Sequence, residues 1–318
     1  MRKTYSREQI EEIAHLYRNW GRWGENDETG TANLVTPARV ARAAQLVRTG
    51  KTYSLALPLD RTGPQTGRGR TGRTNAQHYM ARTGGDIAAD AGDVPQFDGT
   101  DDLVHLYLQA GTQWDALAHA FYGQQMYNGR TTADVTSAGA LKNSITSIGN
   151  RAIGRGVLLD VARAKGVEWL DPGYAIDTSD LERCADAQGI EVGTGDFVLV
   201  RTGQIAETRA RGDWGDYAGG DAPGLSVDAA HFLCSRDVAA VACDTWGLDV
   251  RPYESTEVLA PLHVVLLVNA GIHIGEMWDL EELASDCAAD RVYEFFLSAP
   301  PLTITGAVGS PLNPVAVK

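Results

Sequence analysis

The stretch from Leu108 to His119 carries Gln109, Gln113, Asp115 and His119, at steps of four, two and four around the pair Gly111-Thr112. If Asp115 and His119 open a helical turn they share a face, because residues four apart are neighbours on a helix surface. A carboxylate beside an imidazole can supply two metal ligands, or one ligand and a proton shuttle. The same spacing also serves surface and capping arrangements, so on its own it leaves both readings open.

A second set lies near the C-terminus. His263 opens the apolar run that reaches Ala270, and Glu276 closes a glycine-flanked turn after His273. Taken bare, these are a structural histidine and a helix-capping glutamate, and only the fold could bring them to Asp115 and His119. Trp114, Phe121, Tyr122, Tyr127 and Trp246 offer an aromatic wall for a planar ring, although large aromatics near a motif also serve as core. Arg201 and Arg251 could hold a carboxylate bidentately, or pair with structural acids such as Asp160 and Asp244.

Elements able to position these groups can be read from periodicity and capping. Residues 6–20 form an amphipathic helix capped by Ser6, and residues 36–47 a second one with Thr36 as N-cap and Pro37 in its first turn, stopped by Gly50. Thr52 to Leu59 alternates like a strand. Residues 61–99, rich in Gly, Arg, Thr and Asp, read as a long loop that either covers the site as a lid, with His78, Tyr79 and Met80 at its centre, or is disordered. Gly156 to Val161, Phe197 to Thr202 and Val238 to Asp244 are short apolar runs ending in polar residues, the pattern of strands buried on both faces. Thr178 to Gln188 and Ser226 to Cys234 are helices between them. Leu262 to Asn269 is a helix or a strand, Leu280 to Ala289 an amphipathic helix, and Phe295 to Ile304 the final strand. The expected architecture is one α/β domain over residues 51–318 with an N-terminal helical extension over residues 1–50.

Composition limits the function classes. The 318 residues are 43% hydrophobic, enough for a substantial core, and carry 41 acidic against 28 basic side chains for a net charge of −13. That charge opposes binding to nucleic acid or to anionic membranes. The N-terminus has no apolar signal region and no run approaches the roughly 18 apolar residues of a membrane span, so a cytoplasmic protein is expected. Cys184, Cys234, Cys243 and Cys287 include no Cys-x-x-Cys pair, which suggests neither a disulfide framework nor a thiolate zinc site.

Taken together, Gly111 to His119, Tyr127-Asn128-Gly129, Gly156 to Asp160, Gly195 to Gly203, and the series His263, Gly271 and Glu276 resemble the cyclase superfamily. That group includes bacterial kynurenine formamidase, isatin hydrolase and the zinc-dependent trans-dienelactone hydrolase. The resemblance runs from about Trp23 to the C-terminus, and Gln113-Trp114-Asp115 is similar to the branch containing trans-dienelactone hydrolase. It implies a swivelling β/β/α fold and a divalent metal. The family signature, His-x-Gly-Thr-His-x-Asp-x-Pro-x-His, falls on Gln109, Gln113, Asp115, Leu117 and His119, so glutamine replaces both leading histidines and leucine the proline. Amide oxygens are weaker, neutral ligands, which shifts the expected ion from Zn2+ toward harder Mn2+. The family's later histidine and glutamate fall on His263 and Glu276.

The resemblance therefore implies a hydrolase that opens a lactone, cyclic amide or aryl formamide. Gln109, Gln113, Asp115, His263 and Glu276 would be metal ligands, His119 the general acid/base, and Trp114, Phe121, Tyr122 and Trp246 the substrate wall. By analogy the chain forms a homodimer or homotetramer. Two alternatives stand beside this reading: a lyase or isomerase that abstracts a proton on the same scaffold, and a metal-free protein that binds aromatic acids unchanged.

Overall fold

The computed structural model describes residues 3–67, 72–90 and 97–318. Its centre is a sheet of nine strands: β1 (Thr52–Ser54), β2 (Gln113–Asp115), β3 (Ile153–Asp160), β4 (Phe197–Arg201), β5 (Ala240–Cys243), β6 (His273–Glu276), β7 (Glu294–Ser298), β8 (Gly309–Pro311) and β9 (Val315–Val317). Their spatial order is β1-β9-β7-β3-β4-β5-β6-β2-β8. The four central strands, β3 to β6, run parallel and the flanking pairs are antiparallel. This is the expected α/β class.

The parallel strands read as continuous apolar runs because both of their faces are covered. Val157, Leu159, Val198, Val200 and Val241 point to one side, where helices Thr178–Gln188 and Ala229–Ser235 supply Leu181, Cys184, Phe232 and Leu233. Leu158, Leu199, Ala240 and Ala242 point to the other, against Trp114, Trp278, Phe295 and helix Glu281–Asp290.

Two helices precede the sheet. In α1 (Arg7–Leu16) the Ser6 hydroxyl accepts from the Gln9 amide while the Gln9 side chain accepts from the Ser6 amide, a reciprocal cap. Its Ile10 is buried with Tyr5, Val227, Val258 and Val264. In α2 (Pro37–Ala44) the Thr36 side chain accepts from the Arg39 amide, and the helix lies along β3.

Three expectations are corrected. Residues 61–99 are not one featureless loop: Gln77–Arg82 pairs with Asp101–His105 in an exposed antiparallel ribbon, and Gly84–Asp90 is helical. His78 sits on that ribbon, bonded through Nε2 to Asp102, while residues 68–71 and 91–96 of the segment lie outside the described residues. The strand expected to close the chain ends at Ser298, because Pro300 and Pro301 cannot continue a ladder, and β8 and β9 follow it. Thr52 to Leu59 is a strand only to Ser54, with a single further bridge from Ala56 to Trp278. Among the described residues, no helix is long and apolar enough to cross a membrane.

Candidate metal centre

The Gln113-Trp114-Asp115 run is a strand, β2, and not the start of a helix. Side chains alternate along a strand, so Gln113 and Asp115 share one face and Trp114 takes the other. The register sets Gln113 opposite Glu276 and Asp115 opposite Ile274 on β6. Gln113 donates from Nε2 to Glu276 Oε2 at 2.7 Å. Trp114 is instead fully buried on the opposite face, stacked edge-on against Trp278 with ring centroids 4.7 Å apart and donating to the Ala299 carbonyl. It belongs to the core and not to a substrate wall. Gly275, across from Trp114, has no room for a methyl: a Cβ there would lie 2.6 Å from the Ala242 Cβ and 2.7 Å from the Trp114 ring.

The Gly111-Thr112 turn holds the end of β6 in place. Thr112 donates its hydroxyl to the Met277 carbonyl and accepts from the Leu57 amide, while the Met277 amide donates to Thr245. Met277 thereby keeps a φ of +59°, a left-handed conformation uncommon for a residue with a side chain, directly after Glu276.

His119 follows β2 in a turn, its amide bonded to the Ala116 carbonyl and its neighbour Ala118 anchored on the Asn143 carbonyl. That turn still returns its imidazole to Asp115, with Nε2 3.6 Å from Oδ1. His263 comes from one helical turn, Pro261–His263, that runs into the π-helical segment Val264–Ala270, which settles the helix-or-strand ambiguity of that run. Its Nε2 is 3.7 Å from Asp115 Oδ2 and 3.4 Å from Glu276 Oε1. Asp249 grips the opposite nitrogen, Nδ1, at 2.5 Å and accepts the Leu262 amide on its other oxygen.

One donor atom from each of Asp115, His263 and Glu276 lies within 4.8 Å of the others, and these distances suit an ion better than hydrogen bonds. Ligand atoms about 2.1 Å from a tetrahedral ion stand roughly 3.4 Å apart. Asp115 is completely buried, yet neither of its carboxylate oxygens receives a hydrogen bond, and Gln113 Oε1 is likewise without a donor. Buried charges and amides are ordinarily paired, so this set of orphaned oxygens fits a cation.

The local field agrees. Burial opposes ionisation of Asp115, but His119, His263 and Arg73 outweigh it and hold the carboxyl below its ordinary range. Burial and the Asp115 charge push Glu276 up, against His263 and Arg73. Burial disfavours a charged His263, yet Asp249, Asp115 and Glu276 raise it well above the usual histidine range.

The structure thus brings Gln113, Asp115, His119, His263 and Glu276 together. Gln109 packs its amide nitrogen on β8, 2.5 Å from where a Cβ of Gly309, the cross-strand partner of Asp115, would be, and that buried nitrogen has no hydrogen-bond partner. A cavity of about 350 Å³ opens beside the cluster, with Arg73, His119, Phe121, Trp246, Arg251, His263 and Glu276 in its walls. Tyr122 is turned toward α1 and donates its hydroxyl to Glu11. Tyr127 is buried core, donating to Asp27. Arg201 is locked between Asp160 and Glu281, a structural pairing, whereas Arg251 reaches the cavity. Asp249, Arg73 and Tyr253, which join the site or its cavity, carry no motif that sequence reading could have used.

The family model described as "Putative cyclase" matches residues 53–250. The chain belongs to the cyclase family. A solved structure described as a novel cyclase is 41% identical, with a TM-score of 0.85 over 96% of this chain and 99% of its own. Isatin hydrolase from Roseibium aggregatum is 26% identical over 221 residues, 65% of this cyclase-family chain and 71% of the relative. Isatin hydrolase A from Labrenzia aggregata, solved with benzyl benzoate, shares the fold at a TM-score of 0.60 and 20% identity, over 86% of this chain and 94% of that one.

Proposed function

We propose that this cyclase-family chain is a metal-dependent hydrolase that opens a cyclic ester or amide, with Gln113, Asp115, His263 and Glu276 holding the ion. The observation that carries this reading is the Asp115 carboxylate, fully buried with both oxygens lacking donors and an imidazole Nε2 beside each. When bound, a divalent ion supplies Lewis acidity, polarising a carbonyl and making water a stronger acid.

The remaining chemistry belongs to the side chains. Asp249 accepts the Nδ1 proton of His263 and so turns Nε2 toward Asp115 and Glu276, where a bound ion would take the place of the Nε2 proton, the arrangement common to metal-bound histidines. Gln113 orients Glu276 through its amide nitrogen. His119 is the partly exposed base at the cavity wall, and its Nε2 takes a proton from attacking water and returns it to the leaving oxygen or nitrogen. With two carboxylates, one amide oxygen and one imidazole, the donor set is oxygen-rich and accommodates Mn2+ as readily as Zn2+. The Gln-Trp-Asp run and the isatin hydrolase relative support hydrolysis of a ring ester or amide in particular.

The test is metal content by elemental mass spectrometry on protein purified without chelator, for the native chain and Asp115→Ala, with hydrolysis of lactones and cyclic amides assayed alongside. About one Mn2+ or Zn2+ per chain, lost with the side chain together with hydrolysis, is the expected result. Background metal in both proteins would mean that glutamine at 109 and 113 has disarmed the centre.

A further inference from the structure

Two guanidinium groups of the cavity make no close ion pair among the described residues, although Arg73 acts at longer range on Asp115 and Glu276. Among the described residues no carboxylate lies within ion-pair distance of Arg73 or Arg251, whereas nine other arginines are paired. Both groups stand by the same ring: the Arg73 guanidinium carbon is 5.6 Å and that of Arg251 5.2 Å from the centre of Trp246. All three residues line the cavity that also holds His119, His263 and Glu276.

The arrangement is built. Trp246 is fixed by donating its indole N–H to Gln65 Oε1 at 3.2 Å, and Gln65 is itself buried and donates to the Ala110 carbonyl. Arg251 is held by one hydrogen bond to the Gly219 carbonyl and Arg73 by one to the Gln109 carbonyl, which leaves other N–H groups of each planar fork unused. The acids of the site are spoken for: Asp115 and Glu276 face the proposed ion, and Asp249 faces His263.

The geometry points to a carboxylate subsite: Arg73 and Arg251 receive an anionic group carried on a planar ring that stacks on Trp246, so the substrate class is a cyclic ester or amide bearing a carboxylate. Guanidinium forks match carboxylates in a bidentate manner, and the indole face suits both the cations and a flat ring. This deepens the hydrolase reading and rests on it for the identity of the scissile bond, but not for the anion site itself.

Calorimetric titration of the chain, purified without chelator, with benzoate and with benzamide tests the subsite, because the two share a ring and differ in charge. Benzoate is expected to bind about tenfold or more tightly than benzamide, as charge-assisted hydrogen bonds require. That preference should fall about tenfold in Arg73→Gln and in Arg251→Gln and survive in part in Arg251→Lys, with benzamide affinity unchanged. Equal affinities in the native chain overturn the subsite. So does a preference that persists in both glutamine variants, which would place the carboxylate on the ion. Should Arg251→Gln fail to fold, Arg73→Gln and Arg251→Lys decide the matter. Metal content of the same samples separates the two readings. An arginine-dependent preference in a metal-free chain keeps the subsite and removes the hydrolase, and a metal-loaded chain without the preference does the reverse.

Discussion

Asp249 Oδ2 lies 2.5 Å from His263 Nδ1, and this one contact decides which nitrogen His263 turns toward Asp115 and Glu276. Asp249→Asn keeps the size of the side chain and can still accept the Leu262 amide. It then presents an N–H to Nδ1, forces the imidazole proton to Nε2 and sets a donor where a lone pair is needed. Metal affinity, measured by competition with a fluorescent chelator, is expected to fall about 10- to 100-fold, the usual cost of losing such an outer partner. Unchanged affinity would remove His263 from the ligand set.

Gln113 carries the second prediction, because its amide N–H meets Glu276 at 2.7 Å inside the protein. Gln113→Glu replaces that donor with a second carboxylate. Without metal, two buried like charges and a lost hydrogen bond should lower stability by about 3 kcal/mol. Added Mn2+ should restore more stability than it gives the native chain, since only the folded state offers the site. Melting temperatures with and without Mn2+ measure this, and equal shifts in both proteins would place residue 113 outside the ion's reach.

His119 differs from the other members in sitting at the cavity wall, with about a quarter of its side chain exposed. His119→Asn should therefore leave metal content near the native value while kcat for ring opening falls about 10²- to 10⁴-fold, the range for a lost general acid/base. Loss of the metal together with activity would instead make His119 a ligand.

How much of this could be read beforehand depends on whether the deciding force is local. The Ser6 cap, the Thr36-Pro37 start and the helix Thr178–Gln188 are set by neighbours in sequence and stand where the sequence puts them, although the first two helices end at Leu16 and Ala44, short of residues 20 and 47, and the reciprocal bond from Gln9 was not read. The buried runs around Val157, Val198 and Val241 were legible as strands for the same reason. Asp115 and His119 were legible as a pair, but through a helix that is in fact a strand and a turn, and that difference sends Trp114 into the core. Period two, not aromatic proximity, chooses the face. Asp249 and Arg73 reach the site only because the chain returns to it from afar, and no local signal marks such residues.

The last prediction concerns the base of the loop that bears Trp246 and Asp249. Asp244 directly follows β5 and is completely buried, accepting the Thr202 amide and hydroxyl on one oxygen and the Gly203 amide on the other. Burial and the charge of Glu281 nonetheless push its carboxyl up to about 6, against those donors and Arg201. In the unfolded chain an aspartate titrates near 3.9. Between about pH 4 and pH 6 the folded protein therefore binds more protons at this site than the unfolded chain does, so its contribution to stability declines as pH rises through that window. The change across that window is on the order of 2 kcal/mol. Asp244→Asn cannot titrate and should lack this component, whatever constant cost its amide imposes on the three donors. Urea unfolding of both proteins across the window measures the difference between them. A difference that narrows by about that amount from pH 4 to pH 6 is expected, because the native chain alone loses stability, whereas parallel curves would show that the three hydrogen bonds keep Asp244 ionised throughout.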